Sequence, residues 1–260
     1  DPTKDTPLEH MPGIPRPTEP GHPFKLGDYT LEEVKNFIKK ARSKSAPGQD
    51  GVPYKVYKRC PKLVGWLFLI LRKAWREKYI SQRWARTEGI YLPKEPNATL
   101  LSQFRPISLL NTDGKIFLGV LAKRVLTFVT SNGYIDETVQ KACIPGSPGC
   151  IEHAAMIWDE IQVAKRENKY LSVVWLDLAN AFGSVPHRFL EYTMEHFWIP
   201  EEVRKLMMSY YNKFVMRFTT DTFTTAWQRL EIGIGAGCTI SPVWYILAME
   251  VMLRGADCEE

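Results

Sequence analysis

The stretch Val173-Val174-Trp175-Leu176-Asp177-Leu178-Ala179-Asn180-Ala181-Phe182 places one carboxylate at the end of an apolar run. β-Branched and aromatic residues favour a strand up to Asp177, and the small residues after it favour a turn. A buried central strand would hold the backbone of Asp177 rigidly while its carboxylate opens onto a cleft, as a metal site requires. The stretch alone is equally compatible with an Asp that only caps the following turn.

Two further motifs accompany this stretch. Upstream lies Phe104-Arg105-Pro106-Ile107-Ser108-Leu109-Leu110, and downstream a glycine-rich loop, Gly233-Ile234-Gly235-Ala236-Gly237-Cys238-Thr239-Ile240-Ser241-Pro242, opens an apolar helix. Glycines let a ligand approach the backbone closely. The loop is not a P-loop, because no Gly-Lys-Ser/Thr follows its glycines. Taken in this order, the three motifs resemble the fingers and palm of a reverse transcriptase, most closely those of non-long-terminal-repeat retrotransposons.

The resemblance implies a metal site and a sugar-selecting residue around Asp177. Nucleotidyl transfer uses two divalent ions about 3.5–4 Å apart, and Mg²⁺ or Mn²⁺ takes hard oxygen ligands. By resemblance, Asp177 is catalytic and binds the metal together with the backbone carbonyl of Leu178. Phe182 matches the family's aromatic gate, which leaves no room for a 2′-hydroxyl and so selects deoxynucleotides. A core position beside Val185 is compatible with that role.

The same resemblance assigns residues to the nucleotide and the template. Lys94 and Arg105 match the fingers cations that grip the incoming triphosphate, Lys94 as a point charge and Arg105 as a planar fork. Arg105 could instead pair with a neighbouring carboxylate. Ala236 and Gly237 fall at nucleotide-binding positions, although many reverse transcriptases have Gln in place of Ala236. The positions implied to contact template or other nucleic acid are Ser45, Gly48, Gly51, Ser241 and Pro242.

Charge is concentrated in one part of the chain. The whole chain has a net charge of +5, but residues 35–94 contain 16 Lys or Arg against Asp50, Glu77 and Glu88, a net charge of +13. Such a concentration is typical of a surface that binds a polyanion. The alternative is a set of solvated helix faces. We expect this region to bind an RNA template, a DNA primer or an RNA/DNA hybrid, with deoxynucleoside triphosphates as the further substrates.

Composition points to an intracellular protein in the cytoplasm, the nucleus or both. The five cysteines are an odd number at unrelated spacings, which is typical of free thiols in a reducing compartment. The longest apolar run, residues 63–71, is about half of the ~20 residues that span a bilayer. The N-terminus lacks the pattern of a signal peptide. We therefore expect no membrane association.

Periodicity and capping signals predict the secondary structure. Thr30 and Glu33 form a capping box that starts a helix, and Asn132-Gly133 ends another. Pro242 suits the first turn of the last helix. The predicted helices cover about 30–41, 62–79, 115–130, 151–165, 200–212 and 242–254, and the predicted strands cover 89–92, 105–109, 173–178, 215–219 and 226–231.

These elements and the resemblance together imply an α+β, right-hand polymerase fold. We expect a proline-rich extended leader over residues 1–27 and a helix-rich, basic fingers lobe over 28–135, with residues 35–110 forming a separate lobe. The remaining fingers and a partial palm should occupy 136–260. In the palm, the Asp177 strand should pair antiparallel within a small sheet, antiparallel or mixed, backed by the helices at 115–130, 151–165 and 242–254. The thumb is expected to be absent.

The catalytic hairpin of the family, Phe/Tyr-x-Asp-Asp, should follow the last helix, and these 260 residues contain no Asp-Asp. One carboxylate cannot hold two metal ions, so the isolated piece is predicted to be inactive. The main hypothesis is therefore the fingers and palm of an RNA-directed DNA polymerase serving retrotransposon mobility. A non-catalytic, domesticated descendant that binds RNA or a partner protein is the alternative. An unrelated α/β enzyme with a one-Asp metal site is the third hypothesis.

Overall fold

The computed structural model describes residues 13–144 and 146–258. Within these residues the chain forms nine α-helices and four β-strands. The helices are α1 (Leu31–Lys40), α2 (Tyr54–Arg59), α3 (Pro61–Arg76), α4 (Gln82–Ala85), α5 (Thr112–Ser131), α6 (Ile151–Arg166), α7 (His187–His196), α8 (Glu201–Lys213) and α9 (Ser241–Asp257). The strands are β1 (Arg86–Pro93), β2 (Phe104–Leu110), β3 (Val215–Phe218) and β4 (Gln228–Arg229).

The strands form one mixed sheet in the order β2-β1-β3-β4. β1 is antiparallel to β2, with Leu92 opposite Arg105. β1 is parallel to β3, with Glu88 opposite Arg217, and β3 is antiparallel to β4. The sheet is therefore mixed, and of the two predicted forms the antiparallel one is wrong. The long helical connection between β1 and β3 gives the chain room to return in the same direction, which a tight hairpin cannot do.

Local signals located several helix ends correctly, although α3 ends at Arg76 instead of Tyr79 and α5 begins at Thr112 instead of Lys115. The capping box predicted at the start of α1 is present, since the Thr30 hydroxyl accepts from the Glu33 N–H and the Glu33 carboxylate accepts from the Thr30 N–H. α5 ends at Ser131 with Asn132 as its C-cap, and Gly133 follows with a φ of +65°. Three helices were not predicted: α2, α4 and α7. α2 and α4 are short, and α7 follows Pro186 without a side-chain cap.

α5 is the centre of the core and is buried on most of its circumference. Beside it, Tyr29 stacks on Trp75 with ring centroids 4.8 Å apart. The buried Arg124 guanidinium lies 4.7 Å from the Tyr29 ring centroid and pairs with Glu33 at 2.8 Å. A cation is tolerated here because the carboxylate and backbone carbonyls satisfy it.

The leader runs along this core over residues 13–27 without regular secondary structure. Arg124 Nη1 donates to Gly27 O at 2.6 Å. Tyr134 donates to Thr18 O and Trp198 Nε1 donates to Pro17 O, each at 2.9 Å. Residues 1–12 of the predicted leader lie outside the described residues.

The expectation of a separate lobe over residues 35–110 is wrong. β1 and β3 share a sheet, and one hydrophobic core includes residues from both halves of the chain, such as Trp75, Phe117 and Trp244. Strand pairing and apolar burial therefore join the two parts. The division into fingers at 28–135 and remaining fingers with partial palm at 136–260 stays a prediction.

The predicted Asp177 strand is not formed. Residues 169–178 have no regular secondary structure, and Trp175 and Leu176 are 77% and 92% exposed. Among the described residues no strand lies beside this segment, and an isolated strand has no partners for its backbone hydrogen bonds. α6 matches its predicted range but contributes no buried residue, so the prediction that it backs the sheet is also wrong.

Candidate active site

The turn after Asp177 is built by local hydrogen bonds and one left-handed residue. Asn180 has a φ of +50°, a conformation that Asn adopts more readily than most residues. The Ser184 hydroxyl lies 3.0 Å from Asn180 O and 3.3 Å from Ala179 O. These contacts leave the Asp177 side chain exposed and place Phe182 partly buried against the core. The carboxylate and the aromatic ring that the sequence singles out therefore flank one tight turn.

One end of the glycine-rich loop packs on this turn. The Gly233 N–H donates to Val185 O and the Ile234 N–H donates to Phe182 O, both at 2.8 Å. Gly233 has a φ of +91°, and a Cβ there would lie 2.7 Å from Gly183 O. Only glycine fits such an approach. His187 Nε2 lies 2.8 Å from Gly233 O and donates to it. Burial lowers the pKa of His187.

The other end of the loop packs on the free edge of β2. The Ser108 N–H donates to Ala236 O at 2.6 Å. Gly237 has a φ of +105°, and a Cβ there would lie 2.5 Å from Ser108 O. Gly237 is exposed and Ala236 is partly buried. The loop thus bridges the Asp177 turn and β2, and Ala236 contributes to that bridge through its backbone carbonyl.

Lys94 and Arg105 lie at the other end of the β1–β2 pair. The Lys94 N–H donates to Gln103 O at 2.8 Å, and its amine donates to Ser102 O at 2.7 Å. Arg105 is exposed, and within residues 13–144 and 146–258 it forms neither an ion pair nor a side-chain hydrogen bond. The alternative of a neighbouring carboxylate therefore has no support in the described part of the chain. Arg105 precedes Ser108 by three residues on β2, about 10 Å along a strand.

The turn at residues 45–51 packs where β2 ends and α5 begins. A Cβ on Gly48 would lie 2.4 Å from Asn111 N, and Gly51 has a φ of +67°. Asn111 Oδ1 accepts from the Asp50 N–H at 3.2 Å, and its amide donates to Arg83 O at 3.1 Å. Asn111 was not among the predicted site residues, although its place directly after an apolar strand was an available signal. Ser45 lies at the start of the same turn.

The start of α9 is also packed against this region. Thr239 Oγ1 donates to Lys115 O at 2.9 Å, and the Lys115 amine lies 3.4 Å from Ala46 O. Burial lowers the pKa of Lys115. Ser241 is fully buried and Pro242 is partly buried, so Pro242 offers the accessible surface of this pair. The turn at 45–51, the β2 edge and the glycine-rich loop therefore meet around the N-terminus of α5.

Tyr245 is a neighbour of the Asp177 turn that the sequence analysis did not single out. Its ring centroid lies 4.9 Å from that of Phe182, with 46° between the ring planes. Burial, and secondly the negative charge of Asp177, raise the pKa of Tyr245. Its place one helical turn after Ser241 was the sequence signal for its inclusion.

Hard oxygen donors are present at the turn, but they do not complete a metal site. The Asp177 carboxylate and the Leu178 carbonyl are of the kind that Mg²⁺ prefers. Among the described residues, no three His, Cys, Asp or Glu side chains are grouped so that they could hold a metal ion. The donors fit one part of a divalent metal site. All five cysteines lie in the described part of the chain as free thiols.

Comparisons with known proteins agree with the motifs. The family described as "Reverse transcriptase (RNA-dependent DNA polymerase)" matches residues 92–259. The chain is 26% identical over 223 residues to "Retrovirus-related Pol polyprotein from type-1 retrotransposable element R2" of Nasonia vitripennis, covering 86% of this chain and 21% of that protein. It is 26% identical over 229 residues to "RNA-directed DNA polymerase from mobile element jockey" of Drosophila melanogaster, covering 85% of this chain and 24% of that protein. The chain thus spans about a quarter or less of these relatives.

Proposed function

The chain belongs to the reverse transcriptase family, and on that premise we propose that it is the fingers and partial palm of an RNA-directed DNA polymerase. The complete protein would copy RNA into DNA for retrotransposon mobility. The observation that carries this proposal is the glycine-rich loop, which contacts the Asp177–Phe182 turn at Gly233 and the β2 strand at Gly237. Three motifs that are far apart in sequence are thereby joined in one contiguous region.

Several of the predicted site residues have surroundings that support their roles. Arg105 is exposed at the start of β2 and is suited to grip the incoming triphosphate together with Lys94. Phe182 would close the space under the sugar. Gly237 is exposed with positive φ, so nucleotide or template can approach its backbone. The turn holding Ser45, Gly48 and Gly51 would guide the template, and Pro242 would contact nucleic acid at the start of α9.

Asp177 and the Leu178 carbonyl would hold Mg²⁺ (or Mn²⁺) as part of a two-metal site. When bound, the metal ions activate the primer hydroxyl and stabilise the leaving pyrophosphate. The charge on Asp177 neutralises part of the metal charge, and the turn fixes where that charge sits. A second carboxylate source is needed, which in this family is the Asp-Asp hairpin. We propose that the hairpin, in the complete polymerase, also supplies strands beside residues 169–178.

RNA template, DNA primer and deoxynucleoside triphosphates are the proposed partners. The net charge of +13 over residues 35–94 supports binding through phosphates, which weakens steeply with salt. In the described residues, no helix has both the length and the apolar character to cross a bilayer. We propose that the protein acts in the nucleus, the cytoplasm or both.

Primer extension by the complete polymerase tests the proposal. An RNA template annealed to a DNA primer, with Mg²⁺ and deoxynucleotides, should give template-directed DNA. The 260-residue chain by itself should bind the hybrid and not extend it. Ala236, at a position where many reverse transcriptases have Gln, supports one competing function, a non-catalytic descendant that binds RNA. Hybrid binding by the complete protein without extension in Mg²⁺ or Mn²⁺ would favour that descendant.

A further inference from the structure

The ring of Phe182 lies on a short irregular element and depends on neighbours for its position. Phe182 belongs to a 3-10 turn, Ala181–Ser184, that lies outside the helices and strands of the core. The Ile234 N–H holds its backbone carbonyl at 2.8 Å, but that bond does not fix the rotation of the side chain. Among the described residues, the aromatic ring that packs on Phe182 is Tyr245, 4.9 Å away between centroids.

Tyr245 lies on a long helix that is packed into the core. α9 is a 17-residue helix, and the residues on either side of Tyr245, Trp244 and Ile246, are buried. Aromatic pairs at this separation contribute about 0.5–1.5 kcal/mol beyond the area that they bury. The helix begins at Ser241 directly after the glycine-rich loop, so Tyr245 and the loop approach Phe182 from the same part of the chain. Because Tyr245 is held by α9, its ring can restrict the rotation of the Phe182 ring.

A ring that excludes a single hydroxyl must be held closely. Productive sites need their groups placed within about 0.5 Å, and an apolar pocket that is free to adjust rejects an added hydroxyl only weakly. A Phe182 ring without a packed neighbour could rotate away from the sugar. The polymer would still form, but the preference for deoxynucleotides would fall.

We propose that Tyr245 is a positioning residue for sugar selection, because its ring packs on Phe182 and holds the gate against the sugar. This inference rests on the proposed polymerase function and deepens it by naming what sets the choice between deoxy- and ribonucleotides.

The experiment compares deoxy- and ribonucleotides of the same base in the complete polymerase on an RNA template. Tyr245→Leu and Tyr245→Met remove the flat ring, and each should lower the ratio of the two kcat/KM values roughly tenfold or more. Tyr245→Phe keeps the ring and should keep the ratio. Tyr192→Leu is the matched control, because Tyr192 is also partly buried on a helix and packs on a Phe ring, that of Phe189, 6.4 Å away. It should leave the ratio unchanged.

A second measurement separates gate positioning from general damage. In a Phe182→Ala background the gate is already open, so adding Tyr245→Leu should change the ratio by less than about twofold, a non-additive result. An unchanged ratio in Tyr245→Leu and Tyr245→Met would overturn the inference. An equal fall of the kcat/KM ratio with and without Phe182→Ala would also overturn it. A lower ratio in Tyr245→Phe would do the same. Failure of the unmodified polymerase to extend with deoxynucleotides would refute the proposed function instead.

Discussion

β1 and the segment 169–178 differ in what surrounds them. β1 lies between β2 and β3, and its residues Thr87 and Gly89 are buried. The segment 169–178 is the more apolar of the two, yet Val174, Trp175 and Leu176 are largely exposed. Among the described residues nothing pairs with it. Apolar content alone therefore does not make a strand, because backbone N–H and C=O groups need partners on a neighbouring strand.

The two parts of the molecule therefore have different roles. The packed part, with α1, α5 and β1, carries the stability of the chain. The segment ending at Asp177 contributes little to packing and carries the carboxylate of the proposed chemistry. Substitutions in the two parts should therefore affect different measurements.

The largest effect is expected at Asp177. In the complete polymerase, Asp177→Asn keeps the shape but removes the charge that holds a metal ion, so extension should fall roughly 10³-fold or more. Primer extension measures this loss. The free energy of unfolding of the 260-residue chain should change by less than about 0.5 kcal/mol, because the side chain is exposed. Full activity in the variant would contradict the catalytic role.

A fall in pH should lower the free energy of unfolding by protonating Glu33 in the packed part. Burial alone would raise the pKa of Glu33, but hydrogen bonds from Arg124 and the Thr30 N–H lower it to about 2. The ordinary pKa is 4.5, so the stabilisation is present above that pH and is lost as the pH falls towards 2. The loss should reach about 3 kcal/mol at most, at 1.36 kcal/mol per pKa unit.

Urea unfolding between pH 7 and pH 2.5 measures this dependence. Glu33→Gln should remove most of the stability loss below pH 4.5 and lower the stability at pH 7. The neighbouring Glu32→Gln is the matched control, because Glu32 is exposed on the same helix. Similar profiles for the two variants would show that the Glu33–Arg124 pair is not the source.

A glycine substitution at the junction of the two parts should have an intermediate effect. Gly233→Ala meets the Gly183 backbone and has a positive φ, so the free energy of unfolding should fall by about 2 kcal/mol or more. Gly65→Ala, in α3 with nothing within 4 Å, should instead raise it by about 0.5–1 kcal/mol. Thermal unfolding of both variants tests the contrast, and equal effects would refute the close approach at Gly233.

The smallest effect is expected at Trp175. Because this side chain is 77% exposed, Trp175→Ser should change the stability of the 260-residue chain by less than about 0.5 kcal/mol. In the complete polymerase, the same change should cost about 1–2 kcal/mol if further strands cover the segment. Chemical unfolding of the 260-residue chain and of the complete polymerase, each with and without Trp175→Ser, measures the two changes in stability. Equal effects would argue against the proposed pairing.

Local signals in the sequence predicted much of the fold. The capping box at Thr30 and Glu33, the Asn132-Gly133 stop and the Pro242 start depend on contacts within a few residues, so they can be derived without knowledge of the rest of the chain. The motifs also predicted the family, which the match over residues 92–259 confirms. The roles assigned to individual site residues stay predictions.

Only the tertiary structure decided how the strands pair, that the strand predicted at 173–178 does not form, and which residues meet at the site. The sequence by itself determined the helix ends that carry capping signals, the concentration of charge at residues 35–94 and the order of the motifs, because each depends on near neighbours or composition. It could not determine that β1 pairs with β3, that Ala236 bonds Ser108 through its backbone, or that Tyr245 packs on Phe182. Those contacts join residues far apart in the chain, and whether a strand such as 173–178 forms depends on the partners that the folded chain brings beside it.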